Sequence, residues 1–81
     1  MRTIKKFHHS GHSIQRMVER GLSEQAIKDA VKYAAVFVRQ KKGENGGWVY
    51  RCEHKIEGRI LVVAAEIRNT ECWLLTAFFD E

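Results

Sequence analysis

From Val36 onward the apolar residues recur at a spacing of two and become β-branched and aromatic, in four stretches joined by the short links "KGENGG", "KIEG" and "RNTE". Glycine and asparagine in such links supply the left-handed backbone that tight turns need. Links this short join antiparallel neighbours, because a parallel pair needs a crossover connection of about a dozen residues or more. The spacing predicts strands at about Val36–Lys41, Trp48–His54, Arg59–Arg68 and Cys72–Phe79. The third, "RILVVAAEI", is apolar almost throughout and belongs at the centre of a sheet. In the second, Trp48, Tyr50 and Cys52 alternate with Val49, Arg51 and Glu53, so one face is mostly apolar and the other more polar.

The preceding residues carry a different period. Ile14, Met17, Val18 and Leu22 follow the spacing of an amphipathic helix from about Ser10 to Arg20, with Gly21 as its stop. Ser23 is a suitable N-cap for a second helix, whose stripe of Ala26, Ile27, Ala30, Val31 and Ala34 runs to about Ala35. Residues 1–9 offer only Ile4 and Phe7 as apolar anchors and read as a short strand or an arm. The expected fold is therefore α+β: two N-terminal helices packed on an antiparallel sheet of four or five strands, in one domain spanning 1–81. With 81 residues and 44% hydrophobic content, one core is all the chain can build.

Composition narrows the function. Fourteen Lys and Arg against ten Asp and Glu give a net charge of +4, which suits a polyanionic partner. Cys52 and Cys72 stand alone in separate strands without motif spacing, which reads as buried free thiols in a reducing cytoplasm. No run of apolar residues reaches membrane-spanning length, so no membrane partner is expected.

The most suggestive local pattern is "HSIQRMVERG". His12, Arg16 and Arg20 lie four residues apart and share one side of the first helix. A phosphodiester-cleaving site needs a base, an acid and cations for the charge that develops on phosphorus. Imidazole titrates near neutrality, and guanidinium forks match phosphate geometry. Arg51 and Lys55, on the second strand and its turn, would extend an RNA-binding track. Against this, Gln15, Glu19 and the same three residues are also what an ordinary solvated face contains, since Ile14, Met17 and Val18 occupy the other side. Both readings of the row stand.

A helix reading "HSIQRMVERG", then "LSEQAIKDAV", then strands ending in "LLTAFF" resembles a widespread bacterial family of small domains of unknown function. That family is similar in plan to the RelE/ParE toxins of the barnase/EndoU/colicin/RelE superfamily of metal-independent ribonucleases. The resemblance covers about residues 8–79. It implies RNA cleavage through 2′-hydroxyl attack on the adjacent phosphate, at a site where the helix face meets the sheet and without a cofactor or metal. His12, Arg16 and Arg20 match the family's motif, and "LLTAFF" places Thr76 where superfamily members often keep a polar site residue. The implied partners are RNA and an acidic antitoxin or immunity protein. The alternative on the same fold is a non-catalytic module that binds nucleic acid or protein.

Other groupings carry less chemistry. His8, His9, His12, Cys52 and His54 contain metal-type donors without an established zinc spacing. Cys52 and His54 share a strand face but have no third residue to orient them. Thr76 is also explained as a β-branched filler of a buried strand. Trp48, Tyr50, Trp73, Phe78 and Phe79 could stack bases, but a chain this small is expected to need them as core. "IEGR" at 56–59 is a hairpin turn.

Overall fold

The computed structural model describes residues 2–9, 15–17 and 19–80. Five strands form one sheet: β1 (Lys6–His8), β2 (Val36–Lys42), β3 (Trp48–Ile56), β4 (Arg59–Arg68) and β5 (Glu71–Asp80), in the order β1-β5-β4-β3-β2. The helix α1 (Glu24–Tyr33) lies against β3 and β4. Residues 15–17 and 19 are helical and end in a turn at Arg20 and Gly21. No helix among the described residues is long and apolar enough to cross a membrane.

This corrects the expected architecture. The sheet is mixed, not antiparallel, and 53% of the described residues are strand against 19% helix, in two short helices. The parallel pair comes from the N-terminus, where Lys6, Phe7 and His8 align with Glu71, Cys72 and Trp73. Turn chemistry specifies only neighbours in sequence. The pairing of β1 with β5 closes across almost the whole chain, so no turn dictates its direction.

Local signals explain the remaining elements. Ser23 caps α1, its hydroxyl accepting a hydrogen bond from the Ala26 amide at 3.1 Å. Gly21 has φ +78°, and the Leu22 amide reaches back to the Met17 carbonyl at 3.0 Å, the six-to-one bond of a Schellman stop. Met17 and Leu22, which that motif brings together, are both buried. Between β3 and β4 the two-residue turn Glu57–Gly58 takes φ +50° and +80°, as a tight hairpin requires.

Leu61, Val63 and Ala65 of β4, Cys52 of β3, and Cys72, Leu74 and Ala77 of β5 form a core with Ile27, Ala30 and Val31 of α1. Phe7 from β1 closes one edge of it. Each fully buried Leu, Ile or Val side chain there contributes about 1.5–3 kcal/mol.

A β-bulge decides which residues of β5 belong to this core. Ala65 pairs with Leu74 but Ala64 pairs with Thr76, so Leu75 is the extra residue. The bulge reverses the inward phase: Leu74 and Ala77 are buried, while Leu75, Thr76 and Phe78 are exposed. Thr76 is therefore not a buried filler, and Phe78, 38% exposed, is not core. Trp48 is also not core, at 36% exposed. It opens β3 beyond the reach of α1. Tyr50, Trp73 and Phe79 are half-buried.

Candidate nucleic-acid interface

His12 lies outside the described residues, so the row it forms with Arg16 and Arg20 is visible only at its two arginines. Arg16 is exposed. Arg20 is engaged: its Nη1 donates to the Ala77 carbonyl at 2.9 Å, satisfying an oxygen of β5 beyond the end of the short β1. That bond brings Arg20 to the residue next to Thr76. The Thr76 side chain, however, stands on the face away from α1, in line with Ala64 and Arg51 across β5, β4 and β3. The expected helix-to-sheet cluster thus divides between the β5 edge and the helix-free face.

The two residues expected to extend the RNA track lie on that helix-free face. Arg51 Nε donates to Glu53 at 3.0 Å, and its Nη2 lies 3.8 Å from Asp80. Two carboxylates therefore neutralise its guanidinium. Lys55 is exposed farther along β3. Arg51, Lys41, Val49, Val62, Ala64 and Phe78 border a groove of about 400 Å³ whose floor is aliphatic.

Charge pairing distinguishes the β2 edge from several basic residues elsewhere. Arg51 is matched by Glu53, Arg68 by Glu71 at 3.0 Å, and Lys28 by Glu24 at 3.1 Å. Arg39, Lys41 and Lys42, within four residues on the edge strand β2, are exposed and have no carboxylate partner among the described residues. The ring of Trp48 sits beside two of them, 4.4 Å from the Arg39 guanidinium carbon and 5.6 Å from the Lys42 ammonium. A β-bulge at Gln40 makes this possible, because it sets Arg39 opposite Tyr50 and Lys42 opposite Trp48, on one side of the sheet although three residues apart.

Two acidic features escaped the sequence reading. Glu66, 1% exposed, stands on the helix-free face of the central strand and receives the Asn45 amide at 2.8 Å, the Asn45 side chain at 3.0 Å and the Gly47 amide at 2.8 Å. Burial pushes its pKa up, but these hydrogen bonds outweigh it and hold the carboxyl below the usual 4.5. A lone acid inside "RILVVAAEIR" was the available signal. Glu71 accepts from His8 at 3.0 Å and from Arg68, and these bonds, that of His8 first, lower its pKa; the His8 ring also stacks on Trp73 at 4.7 Å. This pair brings together residues 63 positions apart, beyond any local pattern.

The remaining groupings do not assemble. Among the described residues no three His, Cys, Asp or Glu side chains come together as a metal would need. Cys52 and Cys72 are buried free thiols, pushed up by burial to about 11 and about 12, so Cys52 cannot supply a thiolate to His54 near neutral pH.

The fold and this surface define a small mixed-sheet domain with an unneutralised basic edge. Residues 9–79 match the family described as Domain of unknown function (DUF4258), and the chain belongs to that family. No curated protein and no solved structure matches it.

Proposed function

We propose that this domain binds nucleic acid, with RNA as the partner, along the β2 edge. The observation that carries the reading is the run of three exposed cations, Arg39, Lys41 and Lys42, within four residues of one edge strand, none of them with a carboxylate partner among the described residues, whereas Lys28, Arg51 and Arg68 are ion-paired at 3.0–3.1 Å. Unpaired surface cations release counterions from a phosphate backbone, and the free energy of that release drives association.

The test is fluorescence anisotropy of a labelled 12-nucleotide RNA across a salt series. Three phosphate contacts on a single strand give a log–log salt slope of about −2. Reversing Lys41 and Lys42 to Glu should abolish most of the binding. Absence of a shift in the wild type at 50 mM salt would sink the proposal.

RNA cleavage, which the resemblance to RelE/ParE toxins suggests, is the finer reading. Its support is the family motif at His12, Arg16 and Arg20 and the exposure of Arg16. Total RNA incubated in EDTA with the wild type and His12→Ala decides it, since RNA left intact by the wild type removes catalysis and leaves binding standing.

A second reading, an acidic protein partner such as an antitoxin or immunity protein, rests on a different observation. Val36, Val38, Ile60, Leu75 and Phe78 are all exposed on the helix-free face. A wild type that ignores RNA but binds an acidic amphipathic helical peptide, and loses it on Phe78→Ser, would favour that reading.

A further inference from the structure

We infer that the β2 edge selects single-stranded over double-stranded nucleic acid, because unpaired bases stack on Trp48 and enter a groove beside Phe37 and Tyr50. The inference rests on the nucleic-acid reading above and concerns the same edge.

Cations alone would attract any polyanion. The side chains between these cations are aromatic. Along the α1 side of the sheet, beyond the cover of α1, run Phe37, Tyr50 and Trp48, with Arg2, Arg39 and Lys42 interleaved. Arg2 lies over the Phe37 ring at 3.7 Å, Phe37 stacks on Tyr50 at 4.3 Å with 17° between planes, and Arg39 lies over Trp48 at 4.4 Å. Trp48 and Tyr50 are two residues apart on one strand face, about 7 Å along β3. Successive π-faces and guanidinium planes flanked by cations are what a sequence-tolerant single-strand site uses, since every base has a π-face.

Beside the Phe37–Tyr50 pair is a groove of about 310 Å³, bordered also by Arg2, Thr3, Ile67 and Asn69. That is the lower end of the range for ligand clefts and suits one planar ring rather than a chain of nucleotides. Ile67 gives it an apolar wall, while Thr3 and Asn69 offer a hydroxyl and an amide to the edge of a base. Arg2 is anchored there, its amide donating to the Lys32 carbonyl at 3.0 Å and its Nη1 lying 3.4 Å from the carbonyls of Lys32 and Ala34. A duplex cannot use these features. Its bases are already stacked on each other, and the major groove of A-form RNA is too narrow for side chains to read.

The experiment compares one 12-nucleotide RNA, single-stranded and annealed to its complement, by anisotropy on the full chain at 50 and 200 mM salt. The single strand should bind at least about tenfold tighter. Trp48→Ala should lose about tenfold for the single strand with the salt slope unchanged, as removal of one stacking partner predicts. Arg39→Ala should weaken both forms and lower the slope by about 0.7 to 0.9. Trp48→Phe keeps a π-face and should retain most of the affinity; it replaces Trp48→Ala as the test if the alanine variant melts early. Equal affinity for both forms, or a folded Trp48→Ala with unchanged affinity, would overturn stacking while the basic edge stands. No binding of either form at low salt would overturn both.

Discussion

The two faces of the sheet are supplied by alternate residues of the same strands, yet they are organised differently. On the α1 side, Cys52, Leu61, Val63, Ala65, Cys72 and Ala77 are all 0% exposed, sealed beneath Ile27, Ala30 and Val31. On the other side Val49 and Val62 are buried at the middle of the sheet, but Val36, Val38, Ile60, Leu75 and Phe78 stay in contact with water, and Glu66, the one fully buried charge among the described residues, is held by a loop instead of a helix. The contrast shows that apolar content alone does not locate a core. A face becomes core when an element covers it, and here α1 is too short to cover the β2 edge on its own side as well.

The largest expected effect tests the sealed face against the open one. Leu61→Ala, at a site with no exposure, should cost about 2–5 kcal/mol in urea unfolding, through lost transfer energy and a residual cavity. Phe78→Ser should cost less than about 1 kcal/mol, because its ring is already partly in water. Comparable losses at both positions would mean that the second face is covered after all.

The next effect concerns the polar clasp on the open face. Glu66→Gln weakens charge-assisted bonds to the 43–47 loop and should cost about 1–3 kcal/mol at pH 7. The folded-state pKa of Glu66 is depressed, so its ionic contribution is complete above the ordinary carboxylate value of 4.5 and is lost as pH falls through the folded value. Unfolding midpoints of wild type and variant should therefore converge as pH drops below 4.5. A gap that stays constant down to pH 3 would show that the charge of Glu66 contributes nothing to the clasp. The same loop has little room for side chains, since a Cβ on Gly47 would meet the Ile67 carbonyl at 2.5 Å and one on Gly43 would meet the Glu66 side chain.

The smallest effect separates Arg16, on the helical turn before α1, from Arg20, in the turn that ends it. Arg20→Ala loses the bond to the Ala77 carbonyl and should cost about 0.5–1.5 kcal/mol. Arg16→Ala, exposed, should stay within about 0.5 kcal/mol. The reverse order would mean that Arg20 merely rests on the β5 edge.

Much of this architecture could be read locally. The four later strands, the Ser23 cap and the Gly21 stop follow from periodicity and from residues that act within a few positions, and β4, the most continuously apolar strand, lies at the centre because a strand on each flank shields it from water. Two kinds of feature were not legible. Bulges at Gln40 and Leu75 reset the strand phase, which carried Thr76 and Phe78 to the open face and put Arg39 and Lys42 on the same side as Trp48. Period-two reading has no means of detecting a single extra residue. Pairings between distant residues, such as β1 with β5, His8 with Glu71 and Glu66 with Asn45, are the other kind.

The candidate site divides along the same line. Sequence alone determined that the chain would be basic, free of long apolar spans and rich in arginine on its first helix, because charge and composition are sums that folding does not change. Which cations remain available was decided only in three dimensions. Folding placed carboxylates beside Arg51 and Arg68 and a carbonyl beside Arg20, while the edge position and bulge of β2 left Arg39, Lys41 and Lys42 without such partners among the described residues. Electrostatic pairing depends on distances of a few ångströms, and tertiary packing sets those distances.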